Sequence, residues 1–417
     1  MKLGYKILYL FICIYFVLVP LLPSTFEYKN IPINSNIILI LILLFYISII
    51  LMSRESRKRF LGYLKDISTD HFCMILLMMI VLLFISTLYA ADRRVALKEA
   101  LRYTSYFMLF FIIKYEIDDK DKIDILLKIY MCMNMIVGSI AVAQYFIYMH
   151  SAQYKGLQYI KISSTLDNSN ILSAFLMLSL FPQIVFMINV RNRRKKILYG
   201  LSAMVVTAGI LLTYSRNALL GLIIGAILLS IVYSKKIILY IIGFGGLSLL
   251  IPKVFQRFVD ILNVSQNTSR LKIWKTAIYM IKDNPILGIG SGNFPVLYNS
   301  YIKVHPELKY YYNSGIAIHP HNLFLKIQCE LGIPGTIIFL LLLVVLFMRY
   351  KAFLNNDIDY FHRWFYIGFA ISLCVFLFMN LLDSFFSTPK VEIYLWSLIA
   401  IQQSIIYHKL CDKRVVK

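Results

Sequence analysis

A series of long apolar runs separated by short charged segments constrains this chain more than any other feature. The runs lie at 7–22, 36–52, 71–90, 100–113, 124–149, 170–190, 197–213, 217–233, 236–252, 321–348, 364–385 and 391–408. A spanning helix needs roughly 17–25 residues, and the fourth run fits least well. In hydrocarbon every backbone N–H and C=O must be paired internally, so only helices and closed barrels cross a bilayer. These runs have helical length. The expected fold is therefore an all-α polytopic membrane protein of about twelve transmembrane helices with one large outer loop. It divides into nine spans in 1–252, the loop 253–320 and three spans in 321–417. Composition agrees, with 59% hydrophobic residues against about 45–50% in soluble domains. The run 7–22 follows Lys2 and Lys6 as a secretory signal would. However, Pro23-Ser24-Thr25-Phe26-Glu27 offers no small-x-small cleavage site, so it reads as a retained span.

The chain carries a formal charge of +22. Its densest basic clusters, Arg54/Arg57/Lys58/Arg59 and Arg191/Arg193/Arg194/Lys195/Lys196, fall on the same side of the expected topology. By the positive-inside rule that side, with both termini, is cytoplasmic. The other face is basic too, through Arg93, Arg94, Lys98, Arg102 and Arg216. That pattern fits an anionic ligand or anionic headgroups, with no nucleic-acid partner. The 6 cysteines form no C-x-x-C and read as buried small hydrophobes, so neither a zinc site nor a disulfide framework is expected.

Within the loop, Leu271, Trp274, Ile278 and Ile281 recur at helical spacing. They predict an amphipathic helix over 269–282, apolar stripe on the membrane surface, capped by Thr268 or Ser269 and stopped by Asp283-Asn284-Pro285. Gly288-Ile289-Gly290-Ser291-Gly292-Asn293 looks like a phosphate loop. It follows no strand and lacks the Walker lysine, so it reads as a flexible turn, and an ATP-driven pump is not expected.

Three groups could do chemistry. Arg216 lies in Thr213-Tyr214-Ser215-Arg216-Asn217 between two short runs, each about 25 Å as helix against a ~30 Å core, which recesses this turn. Arg270 opens the amphipathic helix, where its guanidinium can bind phosphate in a bidentate fork. His319-Pro320-His321-Asn322 opens the tenth run, with His321 and Asn322 expected in the first helical turn. The positive helix end and nearby arginines disfavour an imidazolium there, so His321 is expected to act as a base. Asp383, near the end of the eleventh run, could orient an imidazole or accept from a hydroxyl. The bland alternatives are a snorkelling arginine, a solvated helix-start charge, interfacial histidines and an interfacial acid. Gly332 and Gly335 are expected to let a neighbouring helix approach, with Pro334 bending the span.

Two arginines, a histidine base and an aspartate suit displacement of a diphosphate leaving group. No general acid is needed, because diphosphate leaves readily. The chain resembles the O-antigen ligase/polymerase superfamily of bacterial membrane glycosyltransferases. His321-Asn322, nine residues and Gly332-Ile333-Pro334-Gly335 follow its H-[NSQ]-x9-G-x-x-G-like signature. Thr213-Tyr214-Ser215-Arg216 is similar to its arginine turn, and the segment from Arg270 through Phe294 to its loop. The resemblance covers roughly 205–350, and beyond that extends only to span count and topology.

The resemblance implies a GT-C-like fold in the bacterial cytoplasmic (inner) membrane, with the active site on the periplasmic or extracellular face. It implies no cofactor and a metal-independent, inverting transfer from an undecaprenyl diphosphate-linked glycan. Arg216 and Arg270 would hold the diphosphate and His321 would activate the acceptor. His319, Asn322, Asp383, Arg93, Arg94 and Tyr214 would contact substrate. The acceptor is lipid A core for a ligase, another repeat unit for a polymerase, or a peptidoglycan or protein. From another class, a transporter or flippase for an anionic glycolipid would show charges near mid-membrane and similar halves. The sequence reads with neither, its ionisable residues clustering at span ends.

Overall fold

A computed structural model describes residues 2–22, 27–28, 31–32, 35–151, 160–233, 255–256, 259–260, 268–310 and 319–415. Apart from a short antiparallel pairing of Glu27–Tyr28 with Ile31–Pro32, the described elements are helices. They are α1 (Lys2–Leu21), α2 (Ser35–Met52), α3 (Arg54–Ile67), α4 (His71–Tyr89), α5 (Arg93–Glu116), α6 (Lys120–His150), α7 (Ser169–Asn189), α8 (Arg193–Leu212) and α9 (Arg216–Val232). After the long loop begins come α10 (Thr268–Asp283) and α11 (Phe294–Val304), then α12 (Leu323–Leu354), α13 (Tyr360–Met379) and α14 (Pro389–Val415).

Among the described residues, 8 helices are long and apolar enough to cross a membrane: α1, α2, α4, α6, α7, α8, α12 and α13. The other four expected spans differ for physical reasons. The run 100–113 belongs to α5, which starts and ends with charge. α9 is apolar but only 17 residues long. α14 carries Lys390, Glu392, Gln402 and Gln403, all buried. These polar residues face neighbouring helices rather than lipid, and they lower the mean hydropathy of α14. The run 236–252 lies outside the described residues.

Polar contacts gather at two opposite ends of the bundle. At one end Lys114 meets Asp70, Arg349 meets Asp70, Lys120 meets Asp359 and Asn189 meets Tyr233. At the other, Asn170, Ser215, Asn217, His321 and Asp383 meet. Helices α4 to α9 and α12 to α14 run alternately between these ends, and α5, α9 and α14 make the same traverse as their more apolar neighbours. A second small core sits beside the bundle, where Ile273, Ala277 and Met280 of α10 pack on Phe294, Tyr298 and Ile302 of α11 and on Cys329.

Candidate active site

The end that holds His321 is built from loop residues tied to helix ends. Asn322 is the N-cap of α12, its side chain accepting from the Leu325 N–H at 3.0 Å while its amide donates to the Leu381 carbonyl at 2.9 Å. The Leu323 N–H donates to the Asn380 carbonyl at 2.9 Å. These bonds fasten the start of α12 to the end of α13. They also correct the expected register, because His321 and Asn322 precede the helix instead of filling its first turn. An extended Asn side chain satisfies a free helical N–H better than a helical one could. His321 itself adopts φ 51°, a left-handed conformation uncommon for residues other than glycine.

That conformation turns the His321 ring onto Asp383. Nδ1 of His321 lies 2.8 Å from Oδ1 of Asp383. A carboxylate only accepts, so Nδ1 carries the proton and the basic lone pair of the neutral ring is on Nε2. Asp383 is buried and also accepts from the Ser384 N–H at 2.9 Å and from the Asn170 side chain at 3.3 Å. Burial opposes its ionisation, but the His321 hydrogen bond and its electrostatic coupling to His321, His319 and Arg270 hold it below the usual carboxylate range. His319 stacks edge-on to His321 at 4.4 Å between ring centroids, and its Nδ1 accepts the His321 N–H at 3.3 Å. Burial first, then the charge of His321, Lys326 and Arg270, lowers the His319 pKa from 6.5 to about 3.

The arginines approach from two other helix starts. Ser215 caps α9 and donates to Asn170 Oδ1 at 2.9 Å, so the turn that carries Arg216 is linked through Asn170 to Asp383. The Arg216 guanidinium donates to the Asp260 carbonyl at 3.1 Å. Tyr214 is buried at φ 49° and shares a hydrogen bond with Tyr145 at 3.1 Å. Arg270 stands in the first turn of α10, near enough to bias both His319 and Asp383. Trp274, one turn on, reaches the His321 carbonyl with its indole N–H at 3.3 Å. By contrast, Arg93 and Arg94 are exposed at the start of α5, and no described contact brings them to His321.

The loop and the glycines after it differ from expectation in several details. Within the protein α10 buries Ile273, Ala277 and Met280, and Leu271 and Ile278 of the expected membrane-facing stripe are exposed. The packing of α11 and Cys329 claims the face beside the expected one. Thr268 and Ser269, expected as the cap, lie inside the helix, which begins at Thr268. Gly288 to Asn293 is not a flexible turn but a docked strap. Gly332 breaks α12 at φ 62°, ψ −159°, and Pro334 has no N–H to offer the carbonyl four residues back. The freed carbonyls of Cys329 and Glu330 accept from the N–H groups of Ile289 and Gly290 at 2.9 Å each. Ile333 in turn donates to the Ile286 carbonyl at 3.1 Å, and Gly292 donates to the Glu330 carboxylate at 2.9 Å. These amides face carbonyls and a carboxylate, which leaves no cradle for phosphate. What approaches Gly332 is this strap, not a neighbouring helix: a Cβ there would sit 2.0 Å from the Ile286 oxygen. Gly335 faces its own helix, where a Cβ would lie 2.3 Å from Leu331 Cβ.

The sequence reading missed Asn170, Ser215, Lys326 and Glu330 as parts of this region. Lys326 donates to Ser387 at 2.7 Å and pairs with Glu330 at 3.8 Å, both inside an apolar run. An i,i+4 charge pair within a span was the available signal. Asn170 and Ser215 carry no such signal, being ordinary helix-start residues.

His319, His321 and Asp383 are also close enough to hold a cation, their donor atoms lying within 4.8 Å of one another. The contacts favour a hydrogen-bonded dyad. His321 Nδ1 donates its hydrogen bond to Asp383, and the His319 Nδ1 lone pair already accepts a backbone N–H.

Residues 201–340 match the family model described as O-Antigen ligase. A "Putative polysaccharide ligase" of Rickettsia felis (strain ATCC VR-1525 / URRWXCal2) is 37% identical over 91 residues, 21% of this chain and 20% of that protein. The chain thus matches only about a fifth of that relative's length. Asp383 falls beyond the matched segment. Over residues 201–340, which hold Arg216, Arg270, His319, His321 and the broken start of α12, the chain is similar to the O-antigen ligase family.

Proposed function

We propose that this protein is a membrane glycosyltransferase that moves a glycan from undecaprenyl diphosphate to a hydroxyl acceptor, lipid A core in the ligase reading. The reaction would run at the outer face of the cytoplasmic membrane, without a metal or cofactor and with inversion. The His321–Asp383 hydrogen bond of 2.8 Å carries this reading, because it leaves Nε2 as the basic nitrogen. Nε2 takes the proton as the acceptor oxygen bonds to the anomeric carbon. The bond from that carbon to the diphosphate oxygen breaks, and the electron pair leaves with the diphosphate. Arg216 and Arg270 offset the charge that develops there. Asp383 fixes the ring tautomer and balances the imidazolium. A single displacement from the opposite face inverts the anomeric centre.

The test is transfer from purified undecaprenyl diphosphate-glycan in detergent. His321→Ala is expected to lose about 10²–10⁴ in rate, the usual worth of a positioned base. Arg216→Ala should fall to a similar extent and Asp383→Asn markedly. Normal turnover by both His321→Ala and Arg216→Ala proteins sinks the mechanism. The relative's name, a polysaccharide ligase, favours a ligase over a repeat-unit polymerase. Cells without the protein should then accumulate unattached polymer, whereas loss of long repeats would point to polymerase.

A further inference from the structure

Asn170 stands in the first turn of α7, a helix capped by Asn168, whose side chain accepts the Ile171 N–H at 2.9 Å. The Asn170 side chain reaches two parts of the active site at once. Its amide donates to Oδ2 of Asp383 at 3.3 Å, and its Oδ1 accepts from the Ser215 hydroxyl at 2.9 Å. The group can face only one way. Asp383 is held ionised and has no proton to give, so the NH2 turns to it and the oxygen to Ser215.

The two ends of this bridge serve different groups. Oδ1 of Asp383 takes the His321 ring and the Ser384 N–H, and among the described residues Asn170 is the donor to Oδ2. A carboxylate held at one oxygen can turn about its Cβ–Cγ bond, whereas one held at both keeps the plane that aims the His321 ring. At the other end Ser215 accepts the Ala218 N–H as the N-cap of α9, whose first residue is Arg216. Donors thus run in one direction, from the Ala218 N–H through Ser215 and Asn170 to the carboxylate that meets His321. Asn217 also ties α9 to α13, but through the Met379 carbonyl and not through the carboxylate. We propose that Asn170 is a positioning residue that sets the His321 base in register with the Arg216 guanidinium. The inference rests on the glycosyl-transfer reading, in which base and diphosphate must flank one anomeric carbon, and a misplacement of about 1 Å can cost roughly 10²-fold in rate.

Transfer from purified undecaprenyl diphosphate-glycan by the full chain in detergent separates the two ends. The acid limb of the kcat/KM profile reports protonation of the base. Ser215→Ala frees only the arginine turn, so it should raise the donor KM several-fold and leave the acid limb in place. Asn170→Ala frees both ends. Its kcat should fall by roughly 10–10², its donor KM should rise as in Ser215→Ala, and its acid limb should move to higher pH, because a carboxylate with one donor fewer stabilises the imidazolium more. Asn170→Asp still accepts from Ser215 but sets a second carboxylate against Asp383. Its donor KM should stay near native while its acid limb moves up by about one unit. The other charged groups around the pair, His319, Lys326 and Arg270, are the same in all three variants. Losses that follow the melting temperature alone, with the acid limb fixed in both Asn170 variants, overturn the proposal and make Asn170 a packing residue. Native kinetics in Asn170→Ala overturn it too. Should that variant not fold, Asn170→Asp and Ser215→Ala carry the same test. His321→Ala and Arg216→Ala are measured alongside. Slow turnover in both, with native Asn170→Ala, sinks this inference alone, whereas native turnover in both sinks the glycosyl-transfer reading with it.

Discussion

His319 is the residue whose surroundings most change its chemistry. A histidine held neutral in the fold takes up a proton only on unfolding. Its contribution to stability is full above its ordinary pKa of 6.5 and declines as the pH falls from there towards about 3. Asp383 works on the same side, its contribution present above the ordinary carboxylate range and lost as the pH falls through its depressed value. His319→Gln keeps an acceptor for the His321 N–H and removes one of these terms. Between pH 7.5 and 4.5 its melting temperature should therefore fall less than that of the native protein, and equal declines would refute the assignment. The histidine pair was legible in the sequence as a site. Which ring serves the other was not, since that depends on the left-handed turn at His321, and no spacing encodes it. Asp383 is 62 positions away, and a partner at that distance is set by tertiary packing alone.

At the scale of elements, α12 read from its sequence as one bent span, and Gly332 with Pro334 marked the bend. The partner that completes the break could not be read. It is a strap of loop backbone whose amides replace those the break removes, and backbone hydrogen bonding leaves no residue signature. Gly332→Ala should be severely destabilising. The strain at this φ and ψ costs on the order of 1–3 kcal/mol, and the added Cβ would drive against Ile286. Limited proteolysis should then cut within 286–293 much faster than in the native protein. Gly62→Ala, in open space on α3, should leave cleavage unchanged. Similar patterns in both proteins would show that the strap is not held by this contact. The α10 helix was legible in extent, but the face it packs on α11, Ile273, Ala277 and Met280, was not.

For the whole molecule, length and hydropathy mark even the largely buried α7 as a span, and a helix falls below that mark through the polar residues it buries. α14 is the clearest case, with Glu392, Gln402 and Gln403 buried among its neighbours. Arg54, Arg57, Lys58, Arg193 and Arg194 gather away from His321, and the proposed outer location of the site rests on the positive-inside rule applied to them. Lys303, in α11, and Asp357, between α12 and α13, are exposed at the two ends. In a chain whose native cysteines are replaced, a membrane-impermeant maleimide applied to intact spheroplasts should label the Lys303→Cys protein and spare the Asp357→Cys protein. The reverse would invert the topology and remove the active site from the outer face.

The strap docked in α12 also sets an order of assembly. Residues 286–293 are synthesised before α12, and under the proposed topology they wait on the far side of the membrane. When α12 leaves the insertion machinery, the bare carbonyls of Cys329 and Glu330 would face lipid unless the strap is already at hand. Insertion of the tenth run and closure of the preceding loop are thus one event in biogenesis. A longer insertion between the strap and α12 should slow maturation of the protein more than it harms the finished fold.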